Sequence, residues 1–99
     1  MFEIELADDG VVLIGGRLDA AKAEQAQAFL DQIEGNCSLD LAKLEYVSSA
    51  GLGVLLKTHK RMMGKGSGLK LINVNKHIVD IFGYSGFDKL FEIVPAEDR

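Results

Sequence analysis

Ninety-nine residues with 47% hydrophobic and 26% charged content make one ordinary globular domain rather than a disordered chain, and a single cysteine excludes an internal disulfide. A formal net charge of −4 speaks against a general nucleic-acid binder, which concentrates basic residues. The longest apolar runs, residues 11–14 and 51–56, fall far short of the ~20 residues of a membrane span. The opening "MFEIELADDG" carries acids where a secretory leader carries a basic region, so a cytoplasmic location is expected.

Along the chain, Phe2, Ile4 and Leu6 alternate with Glu3 and Glu5, the period of a half-buried strand. "ADDG" supplies a turn and "VVLIGG" a second, more fully buried strand, so a hairpin opens the chain. Asp19 is placed to cap a helix of about 15 residues in which Ala23, Ala26, Phe29, Leu30 and Ile33 recur at helical spacing, with "EGN" as its stop. A short strand is expected around residues 38–41. After Ser48 and Ser49, the positions Leu52, Leu55, Leu56, His59, Met62 and Met63 trace the apolar stripe of a second helix that runs to about Met63. "GKGSG" ends it; the motif lacks P-loop spacing and leads from helix to strand, the reverse of a phosphate cradle. "LKLINV" is the next strand. "NKHIVDIFGYSG" gives a third helix with Ile78, Ile81 and Phe82 inward and Gly83 as its close, and "FDKLFEIV" a helical turn and a last strand.

Strands alternating with helices predict one α/β domain over residues 1–99, a mixed sheet of four to five strands with helices packed mainly on one face. The helices beginning near Asp19, Ser49 and Asn75 each follow a strand directly. If those strands are parallel, right-handed crossovers bring all three helix N-termini, with their free N–H groups and positive dipole ends, to one sheet edge.

The chemistry of "LEYVSSAGLGVLL" is therefore of interest. Ser48 and Ser49 have two readings, helix caps or a modifiable hydroxyl. Gly51 and Gly53 lie in the first turns, where each costs about 0.5–1 kcal/mol relative to alanine; their missing side chains are expected to bare the backbone beside Ser49. A hydrolase nucleophile elbow is excluded, because Val47 stands where that motif needs glycine. Asp19 is either an N-cap or a polar neighbour of Ser49. Lys57, His59, Lys60, Arg61 and Lys65 read as a solvated helix face. His59 and His77 lack partners at metal-ligand spacing, so they read as packing and cap residues. No metal, cofactor or catalytic residue is expected.

At "YVSSAGLGVLL" the chain resembles the anti-sigma factor antagonists, the stand-alone form of the STAS domain. "VVLIGGRLDA" is similar to the family's second strand and its turn, "SLDLAKLEYVSSAGLGVLL" to the third strand, phosphorylation loop and following helix, and "LKLINVNKHIVDIFGYSGFDKLFEIV" to the closing third. The family's loop commonly reads Asp-Ser-Ser/Thr-Gly-Leu-Gly. Its phosphoacceptor serine falls on Ser49 and the aspartate before it on Ser48, a departure from the pattern. The next hydroxyl falls on Ala50, the Gly-Leu-Gly on Gly51, Leu52 and Gly53, and the turn aspartate on Asp19. The resemblance implies a non-enzymatic partner switch. Unphosphorylated, it binds an anti-sigma factor that is also a GHKL-type serine kinase and so frees a sigma factor; phosphorylated on Ser49, it lets go until a phosphoserine phosphatase resets it. Asp19, Ser48, Ala50, Gly51, Leu52 and Gly53 are the partner-binding residues it implies. The alternative is a STAS subunit of a transporter or signalling complex in which Ser49 only caps a helix.

Overall fold

Glu3 and Glu5 face water while Phe2 and Ile4 turn toward the core in β1 (Phe2–Leu6), which pairs antiparallel with β2 (Val12–Leu18) in the computed structural model, which describes residues 1–97. The chain continues through α1 (Ala20–Leu30), β3 (Cys37–Asp40), β4 (Leu44–Val47), α2 (Ser49–Met63), β5 (Leu69–Val74), α3 (Lys76–Ser85), a 3-10 turn (Phe87–Lys89) and β6 (Glu92–Pro95). Beyond the hairpin every pairing is parallel: β2 with β3 and with β4, β3 with β5, and β5 with β6. The sheet order is β1-β2-β3-β5-β6, with β4 also on β2.

The described residues thus make six strands where the sequence predicts four to five. The extra one comes from splitting the run before the serines. Ala42 N–H donates to Asp40 Oδ1 at 2.9 Å and Leu44 N–H to Leu41 O at 3.1 Å, so the chain turns between β3 and β4. It then resumes beside β2, whose Val12 and Leu13 pair with β3 and whose Gly16, Arg17 and Leu18 pair with β4. The partner changes between Leu13 and Gly16, and within the β2–β4 pairing the register shifts between Gly16 and Arg17, so that Gly16 faces Leu44 and Arg17 faces Tyr46. Gly16 has φ +81°, and a Cβ there would run into the Met1 carbonyl, so only glycine fits.

Val12, Ile14, Leu18, Leu39, Leu69, Leu71 and Val74 are buried on one face of the sheet, whereas Leu13, Arg17, Ser38, Asp40 and Lys70 are partly or fully exposed on the other. Right-handed crossovers lay all three helices on the first face. Ala26 and Leu30 of α1, Leu52, Val54, Leu55 and Met62 of α2, and Ile78 and Phe82 of α3 complete the core. Two helix ends differ from expectation. α1 stops at Leu30, and Ile33 packs on the core from the following turn, so the apolar period outlasts the helix. α3 runs through Gly83 and closes at Gly86, whose left-handed φ of +78° supplies the stop. The "GKGSG" exit behaves as read: Ser67 N–H reaches Met62 O at 2.8 Å and Gly66 N–H reaches Met63 O at 3.0 Å, a Schellman closure with Gly66 at φ +79°.

The basic stretch of α2 is only partly a solvated face. Lys57, Lys60 and Lys65 are exposed, but Arg61 Nη2 donates to Leu30 O at 2.9 Å and Ile33 O at 3.0 Å, satisfying carbonyls at the end of α1. His59 Nδ1 accepts from Leu69 N–H at 3.2 Å, and its ring lies 5.0 Å from that of Phe91. Arg61→Ala removes two charge-assisted bonds and takes from the Ile33 carbonyl its guanidinium partner, while Leu30 O keeps the Ile33 N–H, so it is expected to lower stability by about 2 kcal/mol in chemical denaturation. A loss below about 0.5 kcal/mol, the scale of an ordinary surface change, would contradict that role. Burial pushes the Cys37 thiol up from its ordinary range, which suits an inert core position. Among the described residues no helix is long and apolar enough to cross a membrane.

Candidate functional site

The parallel strands β2, β4 and β5 each run into a helix through a single capping residue. Asp19 Oδ1 accepts from Ala21 N–H at 3.1 Å, Ser48 Oγ from Gly51 N–H at 3.3 Å, and Asn75 Oδ1 from Ile78 N–H at 3.0 Å. Because the strands share one direction, the three helix starts meet at one edge of the sheet, as the sequence predicts. None of the three helices carries an acidic residue in its first turn; the Asp19 carboxylate caps α1, while α2 and α3 have the neutral caps Ser48 and Asn75, so the positive dipole ends of those two meet no side-chain charge there.

The two serines divide the work. Ser48 is half-buried and fully engaged: its N–H donates to Leu18 O at 2.9 Å, its carbonyl accepts from Leu52 N–H at 2.8 Å, and its hydroxyl caps the helix. Serine and aspartate cap about equally well, so Ser48 fills the structural part of the family's aspartate without its charge. Ser49 is the first helical residue and is exposed. Among the described residues its hydroxyl has no hydrogen-bond partner, and the N–H groups of Ser49 and Ala50 have no acceptor. Asp19 serves as the N-cap of α1. It also follows the register pair Leu18–Val47 on its own strand, as Ser48 does on the other, so it stands beside the start of α2.

The glycines differ, and one reading of them is corrected. Gly51 is buried; a Cβ there would lie 2.6 Å from Leu18 O and 2.8 Å from Val47 Cγ2. Its bare Cα admits the end of β2, not an incoming molecule. Gly53 is the glycine that bares the helix, since a Cβ there meets nothing within 4 Å. Leu52 is 7% exposed and belongs to the core. Ser49, Ala50 and Gly53 therefore lie outward, Asp19 and Ser48 at the rim, and Gly51 and Leu52 beneath.

Two features were not foreseen. Asn75 also donates from Nδ2 to Leu44 O at 2.8 Å, tying the start of α3 to β4; an asparagine between strand and helix signals the cap but not this tether. Arg17 stacks over Tyr46, its guanidinium 4.5 Å from the ring centroid, one residue before the Leu18–Val47 pair. Strand alternation alone does not show that pairing, because it depends on the shift at Gly16.

A family model described as "Mlab, STAS domain" matches residues 3–95. BtrV of Bordetella bronchiseptica, whose name proposes an anti-sigma factor antagonist, is 33% identical over 96 residues, 91% of this chain and 83% of that protein. The anti-sigma F factor antagonist of Paenibacillus polymyxa is 29% identical over 94 residues, 90% of this chain and 78% of that protein. Of solved structures, the anti-sigma factor antagonist SpoIIAA in its unphosphorylated form matches with a TM-score of 0.69 at 18% identity, covering 98% of this chain and 90% of that one. The phosphorylated form of the Bacillus SpoIIAA matches with a TM-score of 0.68 at 20% identity, covering 95% and 91%. At these identities the two structures establish a shared fold.

Proposed function

The chain belongs to the STAS domain family, and on that footing we propose that it is a cytoplasmic anti-sigma factor antagonist whose grip on its partner is set by phosphorylation of Ser49. The observation that carries this reading is the contrast between the serines: Ser48 is spent on the cap, while Ser49 offers a free, exposed hydroxyl at a helix start. The sequence likeness to two proteins named as anti-sigma factor antagonists supports the same role.

The partner is an anti-sigma factor that is also a GHKL-type serine kinase. It moves the γ-phosphoryl group of ATP to Ser49 Oγ; the bond to the ADP oxygen breaks, the new P–O bond forms, and the serine proton leaves to a base on the kinase. A phosphoserine phosphatase restores the hydroxyl. The protein itself is substrate rather than enzyme. A serine nucleophile needs a base within hydrogen-bond reach, and the nearby Asp19 carboxylate is turned to Ala21 N–H.

Phosphorylation adds about −1.5 to −2 charges. Within the free domain the open N–H groups of Ser49 and Ala50 and the dipole of α2 accommodate them. At a docked surface they are desolvated beside Asp19, so binding suffers more than folding. Ser49, Ala50 and Gly53 form the contacting surface with Asp19 and Ser48 at its rim, while Gly51 and Leu52 act from beneath by fixing the helix start. Intact mass after incubation with the cognate kinase and ATP is expected to show one phosphate, absent from Ser49→Ala. Phosphate persisting on that variant overturns the assignment, and no phosphate on either favours the structural-subunit alternative.

A further inference from the structure

β1 is an outer strand of the sheet, and among the described residues no strand pairs with its far side. The register shows which backbone groups that leaves open. Arg17 N–H donates to Met1 O and Ala7 N–H to Val11 O, both at 2.8 Å, at the two ends of the β1–β2 ladder. Bonded and non-bonded pairs alternate in an antiparallel ladder, so Glu3 and Glu5 also turn their backbone groups to β2. Phe2, Ile4 and Leu6 turn theirs away, and no described residue donates to them or accepts from them. At the opposite end of the sheet, β6 is shorter and finishes on Pro95, which has no N–H to offer. Of these two outer strands, β1 is the one that a further strand can join.

The side chains of β1 define what that strand carries. Phe2 and Ile4 are half-buried against the core, and Leu6, on the same side, is 56% exposed. Glu3 and Glu5 stand exposed on the open face, with no ion-pair partner among the described residues. A strand laid beside β1 sets its own side chains opposite these in the same alternation. We propose that the β1 edge docks an extended segment of a partner protein in which apolar and basic residues alternate. Its apolar residues cover Phe2, Ile4 and Leu6, its basic residues meet Glu3 and Glu5, and its backbone completes the ladder. A second copy of this chain does not suit the edge. Antiparallel pairing of two β1 strands about Ile4 sets Glu3 of each opposite Glu5 of the other, and like charges directly opposite destabilise a sheet. The net charge of −4 adds to that repulsion. The acids that keep copies apart thus select a cationic strand. This surface shares no residue with the one around Ser49, so it stands whether or not that serine is phosphorylated.

The probe is a blocked synthetic peptide, Val-Lys-Val-Lys-Val-Lys-Val, titrated into the ¹⁵N-labelled full chain. Hydrogen exchange at the Phe2, Ile4 and Leu6 amides is expected to slow by at least about tenfold at saturation, while the Glu3 and Glu5 amides, already bonded to β2, change little. A peptide with glutamate in place of lysine, and one with the same valines and lysines in two separate blocks, are expected to protect none of the three. Glu3→Lys combined with Glu5→Lys changes only exposed side chains and is expected to reverse the preference toward the glutamate peptide. Unprotected amides with the alternating lysine peptide overturn the proposal, as does equal binding of that peptide to the double variant. Equal protection by the blocked-order peptide overturns it too, since charge alone then draws the peptide. Protection of the same three amides without peptide, rising with protein concentration, makes a second copy the occupant and likewise overturns it.

Discussion

Replacing Ser49 with aspartate is expected to weaken binding to the anti-sigma partner by about 1–2 kcal/mol or more, roughly tenfold, in calorimetry without ATP. The wild-type hydroxyl makes no bond among the described residues and stands exposed at the start of α2. Adding a carboxylate there costs the free domain little, because the first turn has two unpaired N–H groups and no acid of its own. In a complex the same carboxylate is stripped of water, with the Asp19 carboxylate at the rim of the same surface adding like charge. Ser49→Ala, which adds no charge and removes no bond, is expected to bind as the parent does. Equal affinity for Ser49→Asp and the parent contradicts the electrostatic account. Affinity lost equally in the alanine and aspartate variants contradicts it too, since that traces the loss to the hydroxyl.

The adjacent glycines are expected to respond in opposite directions. Gly51→Ala places a methyl 2.6 Å from Leu18 O and 2.8 Å from Val47 Cγ2, against backbone and core that have no slack. Overpacking of this kind costs about 1–3 kcal/mol, so a fall of about 4 °C or more in melting temperature is expected for a domain of this size. Gly53→Ala meets open space and improves helix propensity, so it is expected to gain about 0.5–1 kcal/mol. Thermal unfolding of the two variants side by side checks both. Similar effects from the two substitutions contradict the division between a glycine kept by the fold and one that leaves the surface bare.

That division also shows what the sequence conveys and what it hides. Alternation at residues 2–6, the caps at Asp19 and Asn75 and the stop at "GKGSG" are local signals, carried by spacing and by single residues whose chemistry suits one backbone position. They are enough to predict an α/β sheet with its helix starts gathered at one edge, whereas Ser49 is set apart from Ser48 only by the resemblance of its loop to the family pattern. What escapes is set by contacts between distant segments. The break between β3 and β4 shows only once β2 is folded against both, Leu13 beside Asp40 and Gly16 beside Leu44. Arg61 reads as one more exposed cation until the end of α1 is folded against it. Gly51 and Gly53 look equivalent two residues apart, yet one faces Leu18 and the other faces open space. The proposed acceptor comes from the resemblance of the loop to the family pattern, not from the local cap pattern, and the packing beneath the loop is set by contacts between distant segments.

The central claim is that one phosphate on Ser49 governs partner binding. The most direct measurement is the affinity of the anti-sigma factor for the unmodified protein and for the protein phosphorylated on Ser49, titrated in parallel by calorimetry. The unmodified form is expected to bind at least about tenfold more tightly, in line with an uncompensated charge introduced at an interface. Equal affinities for the two forms would contradict the account.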